Sequence, residues 1–312
     1  MEIGKALVIA LLATAIPFAK AHARCELSLE VNNVEWRQGH SGGYDIFDPT
    51  EYTQSVTLRV RHGGDACDFF ITVSSGGASD FSRRLLSGGD TLTYQLYDTA
   101  NKSNVLKDLP TATAAEVMKG SFGQGDEGRE FRYVVVFPPL QIRPPGLYRD
   151  SLDVTLYEGT VGNFTRKDSR NFTVTARIQP MVELSVVDSG APFNPQAGSK
   201  EVDFGSLVQG QSRRFDLRIR GNSGYRVTFQ SENGGVMKHT DPTDSSAIAY
   251  VLDAGGAAVS LDRGQHGFGG EKSGITDLNG DRLALTLTVG PVGEATAGTY
   301  RDTITATVVT GH

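Results

Sequence analysis

The sequence predicts an all-β chain of two sandwich domains, the second without its closing strand, and three observations carry that expectation. The stretch 297-AGTYRDTITATVVTGH-312 nearly repeats the earlier 145-PGLYRDSLDVTLYEG-159. Both alternate with period two. Tyr148, Leu152, Val154 and Leu156 share one face with Asp150, and Tyr300, Ile304, Ala306 and Val308 share the equivalent face with Asp302, as in strands with one side on a core. The two copies continue differently. After the first the chain loops into 171-NFTVTAR-177, with Phe172, Val174 and Ala176 on one side, whereas after the second it stops. Finally, glycine pairs at Gly42-Gly43, Gly63-Gly64, Gly76-Gly77, Gly88-Gly89, Gly234-Gly235, Gly255-Gly256 and Gly269-Gly270 punctuate both halves, each offering the positive φ that a hairpin turn needs.

With 312 residues there is chain for two cores of ordinary size. In the first half, strands are expected at 26-ELSLEVNNVEW-36, 54-QSVTLRVR-61, 68-DFFITVSS-75, 91-TLTYQLYD-98 and 129-REFRYVVVF-137. Residues 99–128 and 158–170 lose the alternation and read as loops. Pro138, Pro139, Pro144 and Pro145 bracket a stiff crossing into the Tyr148 strand, because proline cannot join a central ladder. A seam falls near Ile178 and Pro180. Beyond it come 182-VELSVVD-188, 202-VDFGSLVQGQSRRFDLRIRG-221, 225-YRVTFQS-231, 247-AIAYVLD-253 and 282-RLALTLTV-289. The repeat extends past the final strands: Leu58-Arg59-Val60-Arg61 returns as Leu217-Arg218-Ile219-Arg220, and Tyr94 to Asp98 corresponds to Tyr250 to Asp253. Similar order across a whole domain implies two sandwiches, each burying alternating faces of two sheets.

The N-terminus points to export. Lys5 precedes the apolar run 6-ALVIALLATAIPFA-19, and small residues at Ala19, Ala21 and Ala23 fit a signal-peptidase site, so residues 1–23 read as a leader and 24–177 and 178–312 as the two domains. The run is too short for a membrane span. Only Cys25 and Cys67 are present. An oxidising compartment favours a bridge between them over two free thiols. The formal charge of -6 and the absence of a dense Lys and Arg run give no reason to expect nucleic acid.

The second half resembles the spore coat protein U domain, the fold family of archaic chaperone–usher pilins, through 203-DFGSL-207, 221-GNSGYRVTFQS-231 and 298-GTYRDTITATV-308. That resemblance covers roughly residues 180–312 and is weaker outside the strand framework of the first half. The two-domain arrangement after a leader resembles the tip adhesins of Csu-type pili. It implies immunoglobulin-like sandwiches, a periplasmic pilus chaperone, an outer-membrane usher, an adjacent pilin subunit, and display at the cell surface in a fimbrium. It implies further that the second domain accepts a donor strand, in a groove expected between Val182, Leu184 and Val186 and the strand carrying Tyr300, Ile304, Ala306 and Val308. At most His22, Ala23 and Arg24 precede Cys25, so the chain is expected to receive a strand and donate none, which puts it at the end of a fibre. Surface attachment and biofilm formation are the expected role, on an abiotic or host surface. The distal loops of the first domain, with Val105, Leu106, Leu109, Val117, Met118, Phe122, Val161 and Phe164, are the candidate adhesive residues, set against local packing as their alternative fate. The competing functional classes are a stand-alone secreted carbohydrate-binding or coat protein and a secreted hydrolase.

Sites for chemistry are weak. His239, Asp241 and Asp244 could ligate a metal, but Asp-Pro and Asp-Ser spacing is commonplace in turns. The segment 277-DLNGD-281 starts like a calcium loop, yet Arg282 stands where glycine is needed and no terminal Glu comes after it, so Asp277 and Asn279 read as turn formers. His40, Asp45 and Asp48 surround Gly42-Gly43 without a GxSxG elbow, HExxH helix, Walker loop or dinucleotide fingerprint. No catalytic, metal or cofactor site is expected, and Asn101, Asn163 and Asn171 sit in glycosylation-like triplets that a bacterial protein would not use.

Overall fold

The computed structural model describes residues 24–39, 42–262 and 267–311; the expected leader over 1–23 and the candidate ligand His40 lie outside them. In chain order the first domain contains β1 (Glu26–Glu30), β2 (Val34–Glu35), β3 (Thr53–Gly63), β4 (Cys67–Val73), β5 (Arg84–Ser87), β6 (Thr91–Tyr97), β7 (Met118–Phe122), β8 (Gly128–Val136), β9 (Gly146–Thr160) and β10 (Asn163–Ile178). The second contains β11 (Val182–Asp188), β12 (Ser212–Gly221), β13 (Tyr225–Ser231), β14 (Val236–His239), β15 (Ala247–Ala254), β16 (Ala257–Val259), β17 (Gly267–Lys272), β18 (Asp281–Val289), β19 (Tyr300–Arg301) and β20 (Ile304–Thr310).

One sheet of the first domain runs β1-β3-β8-β6, all antiparallel. The other is built around β9, with β4 on one edge and β10 on the other; β7 extends beyond β4, and β2 lies parallel to β10. The second domain repeats the plan as β11-β12-β18-β15 facing β17-β13-β20. Each domain has its own core. The first draws Leu29, Val60, Phe69, Leu96, Val135, Leu152, Leu156 and Val174 from both sheets, and the second draws Leu217, Ile219, Val227, Phe229, Leu252 and Leu285. Both are sandwiches of the immunoglobulin-like kind, with inward residues alternating along each strand.

Several strand boundaries depart from the sequence expectation for identifiable reasons. The expected single strand over 26–36 is broken, because β1 pairs with β3 in one sheet while β2 crosses to pair with β10 in the other, burying Val34 and Trp36 at the corner. The expected loop over 158–170 is a hairpin: β9 and β10 pair almost to their ends, leaving a turn at Val161-Gly162 where Gly162 takes φ 109°. The expected loop over 99–128 holds β7. Residues 202–211 form no strand, although Gly210 and Gln211 meet Val289 through backbone hydrogen bonds, and the turn after Asp203 is set when its side chain accepts the Gly205 amide at 2.7 Å.

The repeated Tyr-Arg-Asp motif has the same local chemistry in both domains. The Tyr148 hydroxyl donates to Pro144 O at 2.9 Å and the Tyr300 hydroxyl to Thr296 O at 2.7 Å, each four residues upstream, which is the tyrosine corner of immunoglobulin-like sandwiches. Two residues on, Asp150 accepts the Tyr94 hydroxyl at 2.7 Å and the Gly77 and Ser151 amides. Asp302 accepts the Tyr250 hydroxyl at 2.6 Å and the Asn233 and Thr303 amides. Burial, reinforced by the aspartate charge, pushes both Tyr94 and Tyr250 above the ordinary tyrosine pKa, so each stays a hydrogen-bond donor. The aspartates therefore share a face with apolar neighbours because each has a full set of donors there.

Candidate functional site

The second domain lacks a counterpart of β10 among its described residues. β9 is paired on both edges, and its inward side chains Tyr148, Leu152, Val154 and Leu156 are at most 1% exposed. β20 pairs with β13 along its length, and among the described residues no strand pairs with its other edge. Its inward residues Ile304, Ala306 and Val308, together with Tyr300 on β19, are only half-buried against the core. Opposite them, Val182, Leu184 and Val186 of β11 are half-buried too, although Leu27 and Leu29 at the equivalent place in β1 are buried. Seven residues named from the sequence are thus partly buried apolar side chains against one core, on β11 and on β19 and β20; in the reading proposed below they line an apolar channel. Unpaired backbone along β20 beside such a channel can take an added strand, which would satisfy its amides and cover the side chains at once.

Several interactions hold this open edge in shape. Ser231, Tyr250 and the Asn233 amide all converge on Asp302 at the entry to β20. On the outer sheet Asp216 has no exposed surface; burial opposes its ionisation, but hydrogen bonds from Arg282 at 2.7 Å and the Gly190 amide at 2.6 Å outweigh that and hold its pKa below the ordinary aspartate value.

The far pole of the first domain is defined by register. Thr160 faces Asn163, Cys67 faces Phe122 and Arg61 faces Gly128 there, whereas the exit at Ile178 pairs with Gly146 at the other end. Cys25 and Cys67 are bridged at this pole, tying β1 to β4, with Cα atoms 6.1 Å apart. His62 stands beside them, but the two sulfurs are bonded to one another and offer no thiolate. Both His62 ring nitrogens meet carbonyl oxygens, of Asp126 at 2.8 Å and Asp65 at 2.9 Å, and the ring stacks on Phe122, which stacks on Phe69.

This packing corrects the expected adhesive set. Leu106, Val117, Met118 and Phe122 are buried, so they are interior residues and not exposed tips. The cause lies partly in Arg84, which no sequence pattern singles out. Fully buried, it donates to Leu106 O at 2.6 Å, to Ser74 O at 3.0 Å and to Gln95, and so pins the segment after β6 to the domain. Burial lowers its pKa to about 10, leaving the guanidinium charged at neutral pH. A second small core then forms on the outer face of the β9 sheet, where Phe70, Ala112 and Val117 pack with Leu109, Tyr157 and Val161. Val105, Leu109 and Val161 are half-buried; Phe164 alone of the eight is exposed, at 45%, its edge against Phe70 and Tyr157.

The residues weighed for metal binding serve turns. Asp241 accepts from Thr243, and Asp244 from Ser246 and Thr296; these hydrogen bonds lower Asp244 to a pKa of about 2. Asp45 and Asp48 accept the Phe47 and Thr50 amides. In 277-DLNGD-281 the Gly280 amide donates to Asp277 O, at φ 68° and too near Ile219 O to admit a Cβ, while Asp281 pairs with Lys272.

The fold is a pair of immunoglobulin-like sandwiches, the first containing β10 and the second with no counterpart of it among the described residues. Residues 13–155 match the family model of the Spore Coat Protein U domain. The motifs quoted for the resemblance lie in the second half, outside the matched residues; the internal repeat accounts for the same framework being readable in both. No curated protein matches the sequence. Among solved structures the chain is similar to the CsuC-CsuE chaperone-tip adhesion subunit pre-assembly complex from archaic chaperone-usher Csu pili of Acinetobacter baumannii, at 15% identity over 90% of this chain and 99% of that chain, with a TM-score of 0.48. It is also similar to the CupB6 tip adhesin from Pseudomonas aeruginosa (12% identity, 91% and 94% covered, TM-score 0.37) and to CfaE, the adhesive subunit of CFA/I fimbria of enterotoxigenic Escherichia coli (11%, 90% and 91%, TM-score 0.36).

Proposed function

We propose that this protein is the tip subunit of a chaperone–usher pilus, exported to the periplasm and displayed at the cell surface, where it mediates attachment and biofilm formation. The observation that carries the reading is the unpaired edge of β20 beside seven half-buried apolar side chains, in a chain whose first domain has the missing strand. A periplasmic chaperone fills the channel first, and the adjacent pilin subunit replaces it at the outer-membrane usher. The terminal place is supported by the pairing of a self-closed domain with an open one, since one channel can hold one neighbour.

The adhesive surface in this reading is the far pole, where Phe164 stands near the hairpin end against Phe70 and Tyr157, rings of the small outer core that also holds Val161 and Leu109. Each apolar side chain covered there contributes on the order of 1.5–3 kcal/mol before ordering costs, and many pili per cell multiply a weak contact. Co-expression with the chaperone of the same pilus is expected to give a soluble complex, and expression alone to give aggregation or degradation. A stable, exchange-protected monomer with no partner and no self-inserted strand would overturn the reading. For the adhesive surface, cells bearing Phe164→Ser with Leu109→Ser should attach less to polystyrene at unchanged pilus number; unchanged attachment removes the hydrophobic-tip component.

A further inference from the structure

We propose that Arg220 and Asn222 lock the two domains into one rigid unit, and that a strand entering the channel beside β11 tightens this lock. The inference rests on the channel reading and extends it to the domain junction. Arg220, near the end of β12, lies between two rings from different parts of the chain: Phe47 of the first domain, 4.4 Å from its guanidinium carbon, and Phe193 of the second, at 4.2 Å. Glu183 of β11 holds it from the side with bonds of 2.7 and 2.9 Å. A planar cation between two rings and gripped at its fork is fixed in orientation, which a lysine could not reproduce.

Two residues on, Asn222 is 1% exposed and spends its whole amide on the junction. Its Nδ2 donates to Arg143 O at 3.1 Å, before β9 in the first domain, and to Gln179 O at 3.0 Å in the connecting segment; its Oδ1 accepts the Met181 amide at 2.7 Å. The Met181 side chain packs on the first core. Connection and junction thus meet at the point where β11 starts and β12 ends.

The channel shares that point. β11 is hydrogen-bonded to β12, and Glu183 stands between Val182 and Leu184, which face the channel from the other side of the strand. While the channel is open, the Val182 to Leu184 end of β11 has no strand on its outer edge among the described residues. A strand laid across Val182 and Leu184 restricts β11, and with it the carboxylate that holds Arg220 against Phe47. By linkage the effect is reciprocal: a loosened junction weakens the hold on the inserted strand.

The test joins a copy of residues 163–178 behind His312 through a short flexible linker, giving β20 the antiparallel partner that β9 has, and reads amide hydrogen exchange. The control is the same chain with the copied Phe172, Val174 and Ala176 replaced by Asp. Insertion should slow exchange along β20 and, in the first domain, at residues 44–47 by roughly fivefold or more. Arg220→Ala should abolish the response at 44–47 while β20 remains protected, and Phe47→Leu, which breaks the same contact from the first domain, should do so too if the arginine variant does not fold. Protection of β20 with no change at 44–47 overturns the coupling. Absence of protection at β20 overturns the channel reading on which the coupling depends.

Discussion

β9 and β20 start from the same Tyr-Arg-Asp motif, with the same tyrosine corner and the same aspartate bound to a tyrosine hydroxyl, yet they finish in different surroundings. β9 is paired on both edges and its inward side chains are sealed. Among the described residues β20 is paired on one edge, and its inward side chains are half-buried. Local sequence sets where each strand begins and which way its residues point; closure depends on whether a further segment arrives. Almost the same text can therefore start a strand that is sealed and one that, among the described residues, is covered on one side.

The largest expected effect comes from separating them. A fragment covering 24–178 should fold alone and unfold cooperatively, whereas 180–312 should stay soluble only when a donor strand is supplied; circular dichroism and gel filtration of each fragment check this. Independent folding of the second fragment as a monomer would erase the contrast. Next, Ile304→Asp places a charge on the channel wall that an incoming strand would have to bury unpaired, so chaperone binding and fibre assembly should be lost. Wild-type assembly from that variant would show that Ile304 does not face the strand.

A finer comparison uses matched truncations and chemical denaturation. Leu152→Ala should destabilise the first domain by about 2–5 kcal/mol regardless of partners, because the site is already sealed. Ile304→Ala should cost roughly 1 kcal/mol in the open domain and approach the buried value once a strand covers it. Equal costs in both states would mean that the channel does not close over Ile304. Within the first domain, Cys25→Ser with Cys67→Ser should lower stability by about 2–4 kcal/mol, comparable to the Leu152→Ala cost, and leave donor-strand binding by the second domain unchanged.

The smallest effect is on acid sensitivity. Asp216 and Asp244 have folded pKa values depressed below those of the unfolded chain, Asp244 to about 2. Their contribution is therefore fully present above the ordinary aspartate pKa of about 4 and is lost as pH falls through the folded values. Asp216→Asn should flatten the acid limb of the unfolding curve of the strand-complemented second domain; an unchanged limb would assign the acid loss elsewhere.

Much of this was legible in residue patterns. The alternation of Leu152 with Val154 and of Ile304 with Ala306 marked the two strands, and Phe172, Val174 and Ala176 marked a further one in the first domain. Both cysteines could be named for the same reason that they could be found: there are only two. The fate of Leu106, Val117, Met118 and Phe122 was not legible, because it depends on Arg84 and on what covers the outside of the β9 sheet, neither of which leaves a period in the local sequence. β2 was hidden similarly. Its two residues follow β1 with the phase shifted by one, Val34 and Trp36 coming after Leu27, Leu29 and Val31, but only the parallel pairing of Val34 with Val174 shows which sheet the strand has joined. The junction residues Arg220 and Asn222 carried no signal at all, since Phe47 and Arg143 meet them only after both domains have formed.

β10 has one more consequence. It runs 16 residues, from the far pole to the connection with the second domain, antiparallel to the 15-residue β9. In the proposed role at a pilus tip, a cell pulled away from a surface would load the protein between those two points, along the strand. The ladder then resists in shear, with many hydrogen bonds strained together, instead of opening one at a time from an end. Lifetime under tension is governed by the unfolding rate more than by equilibrium stability, and a long closing strand aligned with the pull raises that barrier in the domain that touches the surface. On the same proposal the second domain would acquire that alignment from its neighbour, so the strength of the second link in the tether would be borrowed from the subunit behind it.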